Sequence, residues 1–122
     1  MRPLNVVIAQ SDKSNAEHLA ASLYDHFRSV VVARSLKELR DAIPRNDARA
    51  AIVDLELIGL SGLADLHETY RDTTIVCTHR VADEEMWAAA LAAGASDMCS
   101  SGDLDDVVRC ILRSLNASAQ AA

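Results

Sequence analysis

Asp54 closes the apolar run Ala51-Ile52-Val53, and Leu-Glu-Leu and two glycines, Gly59 and Gly62, follow it. A carboxylate at the end of a buried strand has two uses. It can act as a nucleophile or hard-cation ligand, or it can be a polar strand-end group satisfied by loop amides. Both readings stand on the residues alone. Other groups offer less. His18, His26, His67 and His79 form no HxxxH or HExxH spacing, and the first three lie in helix-patterned stretches as surface groups. His79 borders Thr78, where it either shields Asp54 and senses pH or faces solvent. The acids of DLDD (103–106) suit the first turn of a helix, without a metal. Cys77, Cys99 and Cys110 are odd in number and show no CxxC pairing, so they read as free thiols of a reducing compartment.

The elements that must position these residues alternate. LNVVIA (4–9), SVVVA (29–33), ARAAIVD (48–54), TTIVCT (73–78) and the weaker ASDMCS (95–100) are strand-like apolar runs. Helical periods fill the gaps. The first runs over 15–27 with Ser14 as its N-cap, and the second over 35–43, stopped by Pro44. The third covers 61–70 with Ser61 as cap, the fourth 83–94 with Gly94 past its end, and the last 103–115. Trp87 and Met86 sit in the Ala-rich fourth helix, Trp87 as core or contact patch. Five strands alternating with five helices imply right-handed crossovers and a parallel sheet covered on both faces. The expected fold is α/β, a flavodoxin-like, doubly wound five-stranded sheet flanked by five helices. Residues 1–116 form one domain, and the small, polar 117–122 reads as a linker or tail. Ligand sites in such sheets lie beyond the carboxyl ends of the strands, at the switch in strand order. That rule gathers Gln10, Ser11 and Asp12, then Asp54, Thr78 and Ser101.

With 122 residues, half apolar and a quarter charged, the chain can bury one core. Its net charge of −6 leaves no basic stripe, which argues against direct nucleic-acid binding by this domain. The start shows no signal-peptide pattern, and no apolar run approaches the roughly 20 residues of a membrane span. A cytoplasmic protein without membrane contact is expected.

Over 4–116 the chain resembles the receiver domain of bacterial two-component response regulators. Asp54 falls at that family's phosphoacceptor position, with Gly62 eight residues later. Thr78 matches its switch hydroxyl, and GASD (94–97) its approach to the fifth strand. The resemblance implies phosphoryl transfer to Asp54 assisted by Mg²⁺, acidic residues after the first strand and a lysine after the fifth. The departures cluster on those helpers. The acidic pair aligns with Gln10 and Ser11, the lysine-proline with Ser101-Gly102, and the aromatic switch residue with Met98. His79 replaces a small residue, Ile58 the loop proline, and the third helix is about one turn short. Asp12 either reaches the cleft or sits in the turn that starts the first helix, and the turn role is favoured. Arg80 is the nearest alternative cation.

On these residues the chain is expected to be a signalling module and not an enzyme. It acts through protein contacts, with aspartyl phosphorylation impaired or absent. The resemblance places the contact face on 83–93, 95–100 and 103–115, with Trp87, Met98 and Val108. Expected partners are proteins: a histidine kinase, a fused output domain, or a second copy in a homodimer. No cofactor is expected beyond weak Mg²⁺ held by Asp54 and Asp12. Two alternatives stand beside this one. The first is a working receiver that accepts phosphate on Asp54 from a histidine kinase. The second is a small flavodoxin-like nucleotide- or cofactor-binding protein, although AQSDKSNA (9–16) contains no glycine and no P-loop.

Overall fold

The computed structural model describes residues 2–81, 83–100 and 103–121, with side chains for 4–81, 83–100 and 103–116. In chain order the elements are β1 (Arg2–Ala9), α1 (Lys13–Leu23), a 3₁₀ turn (Tyr24–His26), β2 (Phe27–Ala33), α2 (Leu36–Arg45) and β3 (Ala50–Asp54). They continue with α3 (Leu55–Thr69), β4 (Thr74–His79), α4 (Glu84–Ala93), β5 (Asp97–Ser100) and α5 (Leu104–Ala121). The strands form one sheet in the order β2-β1-β3-β4-β5, every pairing parallel. The chain therefore has the doubly wound α/β architecture expected from its alternating pattern. Strand order reverses between β1 and β3, which brings the residues after Ala9 and Asp54 to one crevice.

The two-residue period of the strands sorts their side chains into two cores. Val7, Ala9, Ala51, Val53, Ile75 and Cys77 face α2, α3 and α4, where Leu39, Ile43, Leu63, Leu66 and Ala90 complete the packing. Val6, Ile8, Ala50, Ile52 and Val76 face α1 and α5, meeting Leu19, Leu23, Val107, Ile111 and Leu115. Burial on both faces explains why β3 is apolar throughout, down to the carboxylate at its end. Among the described residues no helix is long and apolar enough to cross a membrane.

Several element ends differ from the sequence reading, each for a local reason. Asp12, not Ser14, caps α1: its Oδ1 accepts from Asn15 N at 3.0 Å. That gives Asp12 the turn role. The helix stops at Leu23, and Phe27 is already the first residue of β2, fully enclosed. Pro44 does not stop α2 but lies in its last turn. A proline orphans the carbonyl four residues back, here that of Arg40, and Tyr70 Oη donates to it at 3.0 Å. α3 starts at Leu55 rather than Ser61, because Asp54 itself caps it, and Gly59 breaks it internally with φ 68° and ψ 170°. α5 continues to Ala121, through a stretch whose Ala content favours helix.

The cysteines are a clear correction. Cys99 on β5 and Cys110 on α5 form a disulfide, with 6.1 Å between their Cα atoms, and only Cys77 is a free thiol among the described residues. Sequence spacing carried no such signal, since a strand and the helix packed on it create the proximity.

Gly94 ends α4 with φ 118°, a region that L side chains rarely adopt. A Cβ there would lie 2.3 Å from His67 Cγ and 2.6 Å from His67 Cβ. Rotation about χ1 moves Cγ but leaves Cβ in place, so a rotamer change alone does not clear the clash. Gly94→Ala is therefore expected to cost about 2 kcal/mol in urea unfolding, from strain and displacement together. A loss below about 0.5 kcal/mol would refute that packing.

Candidate functional site

The crevice is built on the carboxyl ends of β1, β3 and β4. Asp54 pairs in register with Thr78, and Ala9 with Val53, so Gln10, Asp54 and Thr78 stand side by side. All three are buried, at 5%, 8% and 0% exposure. Buried polar groups need partners, and here each finds one from the chain itself.

Asp54 is bonded on both carboxylate oxygens. Its Oδ2 accepts from Ser11 N at 3.0 Å and from Ser11 Oγ at 2.5 Å. Its Oδ1 accepts from Glu56 N at 2.9 Å, which makes Asp54 the N-cap of α3. The carboxylate thus ties the turn after β1 to the start of α3. Gln10 turns the other way. Its Nε2 lies 3.0 Å from Thr78 Oγ1 and 3.2 Å from Ala9 O, while Thr78 Oγ1 is 3.3 Å from Gln10 Oε1. Amide and hydroxyl therefore satisfy one another beneath the crevice floor.

Above this floor lies a cleft of about 270 Å³ lined by Ser11, Asp12, Asn15, Asp54, Glu56 and Arg80. Arg80 borders it without reaching Asp54. Its Nε donates to Glu56 Oε1 at 3.0 Å, and that bond and the Glu56 charge push the guanidinium further up from its already high range. Asp54 contributes a weaker pull in the same direction. His79 Nε2 lies 3.8 Å from the same Glu56 oxygen, with Nδ1 3.0 Å from both the N and the O of Val81. His79 thus sits at the rim with Glu56 and does not cover Asp54.

The donor set does not fit Mg²⁺, the cation that a receiver-like crevice implies. That ion holds its waters tightly and needs carboxylates with open lone pairs. Here two Ser11 donors direct positive dipole ends at Asp54 Oδ2, the Asp12 carboxylate caps α1, and Gln10 faces Thr78. A cation at Oδ2 would compete with both Ser11 donors, and Oδ1 keeps only one lone pair beside the Glu56 N–H.

Of the residues singled out in the sequence, the structure brings together Asp54, Gln10, Ser11, Asp12 and Thr78. Ser101 lies outside the described residues. The proposed contact face does not form one surface. Trp87 is 46% exposed, but Met98 is buried at 6% in the α2/α3/α4 core, and Val108 packs half-buried in the opposite one. Glu56 was not singled out, although it bonds Asp54 through its N–H and holds Arg80 and His79 through its carboxylate. An acid two residues past a strand-end aspartate was the available signal.

Cys77 lies directly under the crevice, and burial, reinforced by Asp54, pushes its thiol from the ordinary 9.0 up to about 12. Two outcomes follow. The native chain should leave Cys77 unlabelled by a thiol reagent at pH 8, with labelling only on unfolding. The raised value means that the folded chain holds the proton more tightly, so this contribution is complete below pH 9 and fades as pH rises towards 12. Rapid native labelling would contradict the packing.

No protein-family model matches the sequence, and no curated protein matches it either. Solved structures do. The receiver domain of the Francisella response regulator 1452 superposes with a TM-score of 0.81 at 18% identity, covering 94% of this chain and 98% of that one. The chemotaxis response regulator CheY4 of Vibrio cholerae gives 0.81 at 15% identity, covering 92% and 98%. RcsB of Salmonella typhimurium gives 0.85 at 17% identity, where 97% of this chain covers 62% of that protein. The chain has the receiver fold, the five-stranded flavodoxin-like architecture on which response-regulator receiver domains are built.

Proposed function

We propose that the chain is a signalling module on the receiver fold that works through protein partners, with Asp54 committed to structure and not to phosphorylation. One observation carries the reading: both oxygens of Asp54 are occupied by donors of the chain itself. Attack on phosphorus requires a carboxylate free on one side and cations placed to neutralise the phosphoryl oxygens. The cleft offers three carboxylates against one guanidinium, and that guanidinium is paired with Glu56. The Gln10–Thr78 pair points the same way, because a switch hydroxyl already bonded below the floor has no reason to move. Receiver domains are generally signalling modules rather than enzymes, and the same standing is proposed here.

The partners proposed are a protein ligand at the exposed Trp87 side of α4 or an output domain joined to this one. RcsB, whose solved form concerns DNA interaction, extends well beyond the part this chain matches. A homodimer through α4 and a cytoplasmic setting belong to the same proposal, which assigns no metal dependence and no direct nucleic-acid contact to this domain. The competing reading, phosphate accepted on Asp54 from a histidine kinase, draws its support from the position of Asp54 beside Thr78 at the switch point.

Titration with beryllofluoride and Mg²⁺, followed by amide spectra, tests the choice. The amides of Ser11, Asp54, Glu56 and Thr78 are expected to stay in place. Saturable shifts at Asp54 and Thr78 would give the site to phosphorylation.

A further inference from the structure

We propose that Asp97, Cys99 and Cys110 form a redox-gated site for a thiophilic divalent cation of the Zn²⁺ class, closed while the disulfide stands and open when it is reduced. The three ligand atoms lie within 4.8 Å of one another, and none of the three residues lines the Asp54 cleft. Two thiolates and a carboxylate suit Zn²⁺, and with a water in the fourth position they complete a tetrahedron. Around a tetrahedral zinc, ligand atoms stand roughly 3.5 to 3.8 Å apart. Asp97 Oδ2 already lies 3.8 Å from Cys110 Sγ, which is the spacing a shared cation would impose. The Cα separation of 6.1 Å lets the two sulfurs part to that distance by side-chain rotation.

The surroundings are prepared for a ligand carboxylate. Asp97 Oδ1 accepts from Met98 N at 2.8 Å and faces Trp87 Nε1 at 3.5 Å, which fixes the orientation of the group. Oδ2 is the oxygen turned to sulfur, and Ser114 Oγ lies 2.6 Å from it, an outer hydroxyl of the kind that steadies metal-bound carboxylates. Cys99 is buried, whereas Asp97 and Cys110 are half-buried and give the cluster a solvent side.

Gating is thiol–disulfide exchange. An external dithiol attacks the Cys99–Cys110 bond, takes up the disulfide itself, and leaves two thiols on the chain. Zn²⁺ then replaces the two S–H protons, which pass to solvent.

The test uses the whole chain and Zn²⁺ alone, in competition with a chromophoric chelator. Phosphine-reduced protein is expected to take up one Zn²⁺ per chain, with a change in Trp87 fluorescence, and oxidised protein none. Cys110→Ser should abolish uptake, and Ser114→Ala, which keeps every ligand, should weaken it about tenfold. The proposal is overturned if the reduced chain takes up no zinc, or if the oxidised chain or Cys110→Ser takes up as much. Should Cys110→Ser fail to fold, an unchanged affinity in folded Ser114→Ala would overturn it equally.

Discussion

Asp54→Ala is expected to lower the unfolding free energy by about 3 kcal/mol. The substitution removes an N-cap, ordinarily about 1 kcal/mol, and leaves Ser11 N and Glu56 N, both bonded to a charged acceptor, without partners. An opposing gain exists, since Asp12 and Glu56 lie around the same cleft and repel Asp54. Asp12 is exposed and the Glu56 charge is paired with Arg80, so that relief stays below about 1 kcal/mol. The hydrogen bonds win. A crevice of crowded carboxylates awaiting a metal would respond with the opposite sign, gaining stability when one acid is removed. Urea unfolding without divalent ions reads the sign directly, and a neutral or stabilised Asp54→Ala would remove the structural role assigned here.

Gln10→Asp is expected to cost about 3 kcal/mol without Mg²⁺, and then to restore a response to it. The shorter side chain loses Thr78 and puts a second carboxylate at a position only 5% exposed, close to Asp54. Such a charge is tolerable only with a cation. A concentration tenfold above the dissociation constant would return about 1.4 kcal/mol to the variant. The natural chain should change by less than about 0.3 kcal/mol under the same conditions. Equal stabilisation of both proteins by Mg²⁺ would show that Gln10 and Ser11 already form a cation site.

How far the sequence disclosed this arrangement depends on the range of the interaction concerned. Strand periodicity and the alternation of strands and helices are local properties, so the parallel sheet and its switch point were legible. The position of Asp54 at the end of β3, beside Thr78, followed from them. What escaped were matters of cap geometry and side-chain direction. The third helix was expected to begin at Ser61, yet the turn from Leu55 to Ile58 is already helical because Asp54 caps it. Pro44 looked like a stop because its lost bond is visible in sequence, whereas the compensating Tyr70 hydroxyl is 30 residues distant from Arg40. The Cys99–Cys110 bond and the Ser11 clamp are likewise products of the packed sheet. Met98 and Val108 were assigned to a surface because their elements border it, but each points inward to its own core.

The central claim, that Asp54 is a structural carboxylate and not a phosphoacceptor, is tested most directly by incubation with a small acyl-phosphate donor and Mg²⁺, followed by intact mass measurement. The account predicts an unmodified chain. One phosphoryl group per chain, absent from Asp54→Asn, would contradict it.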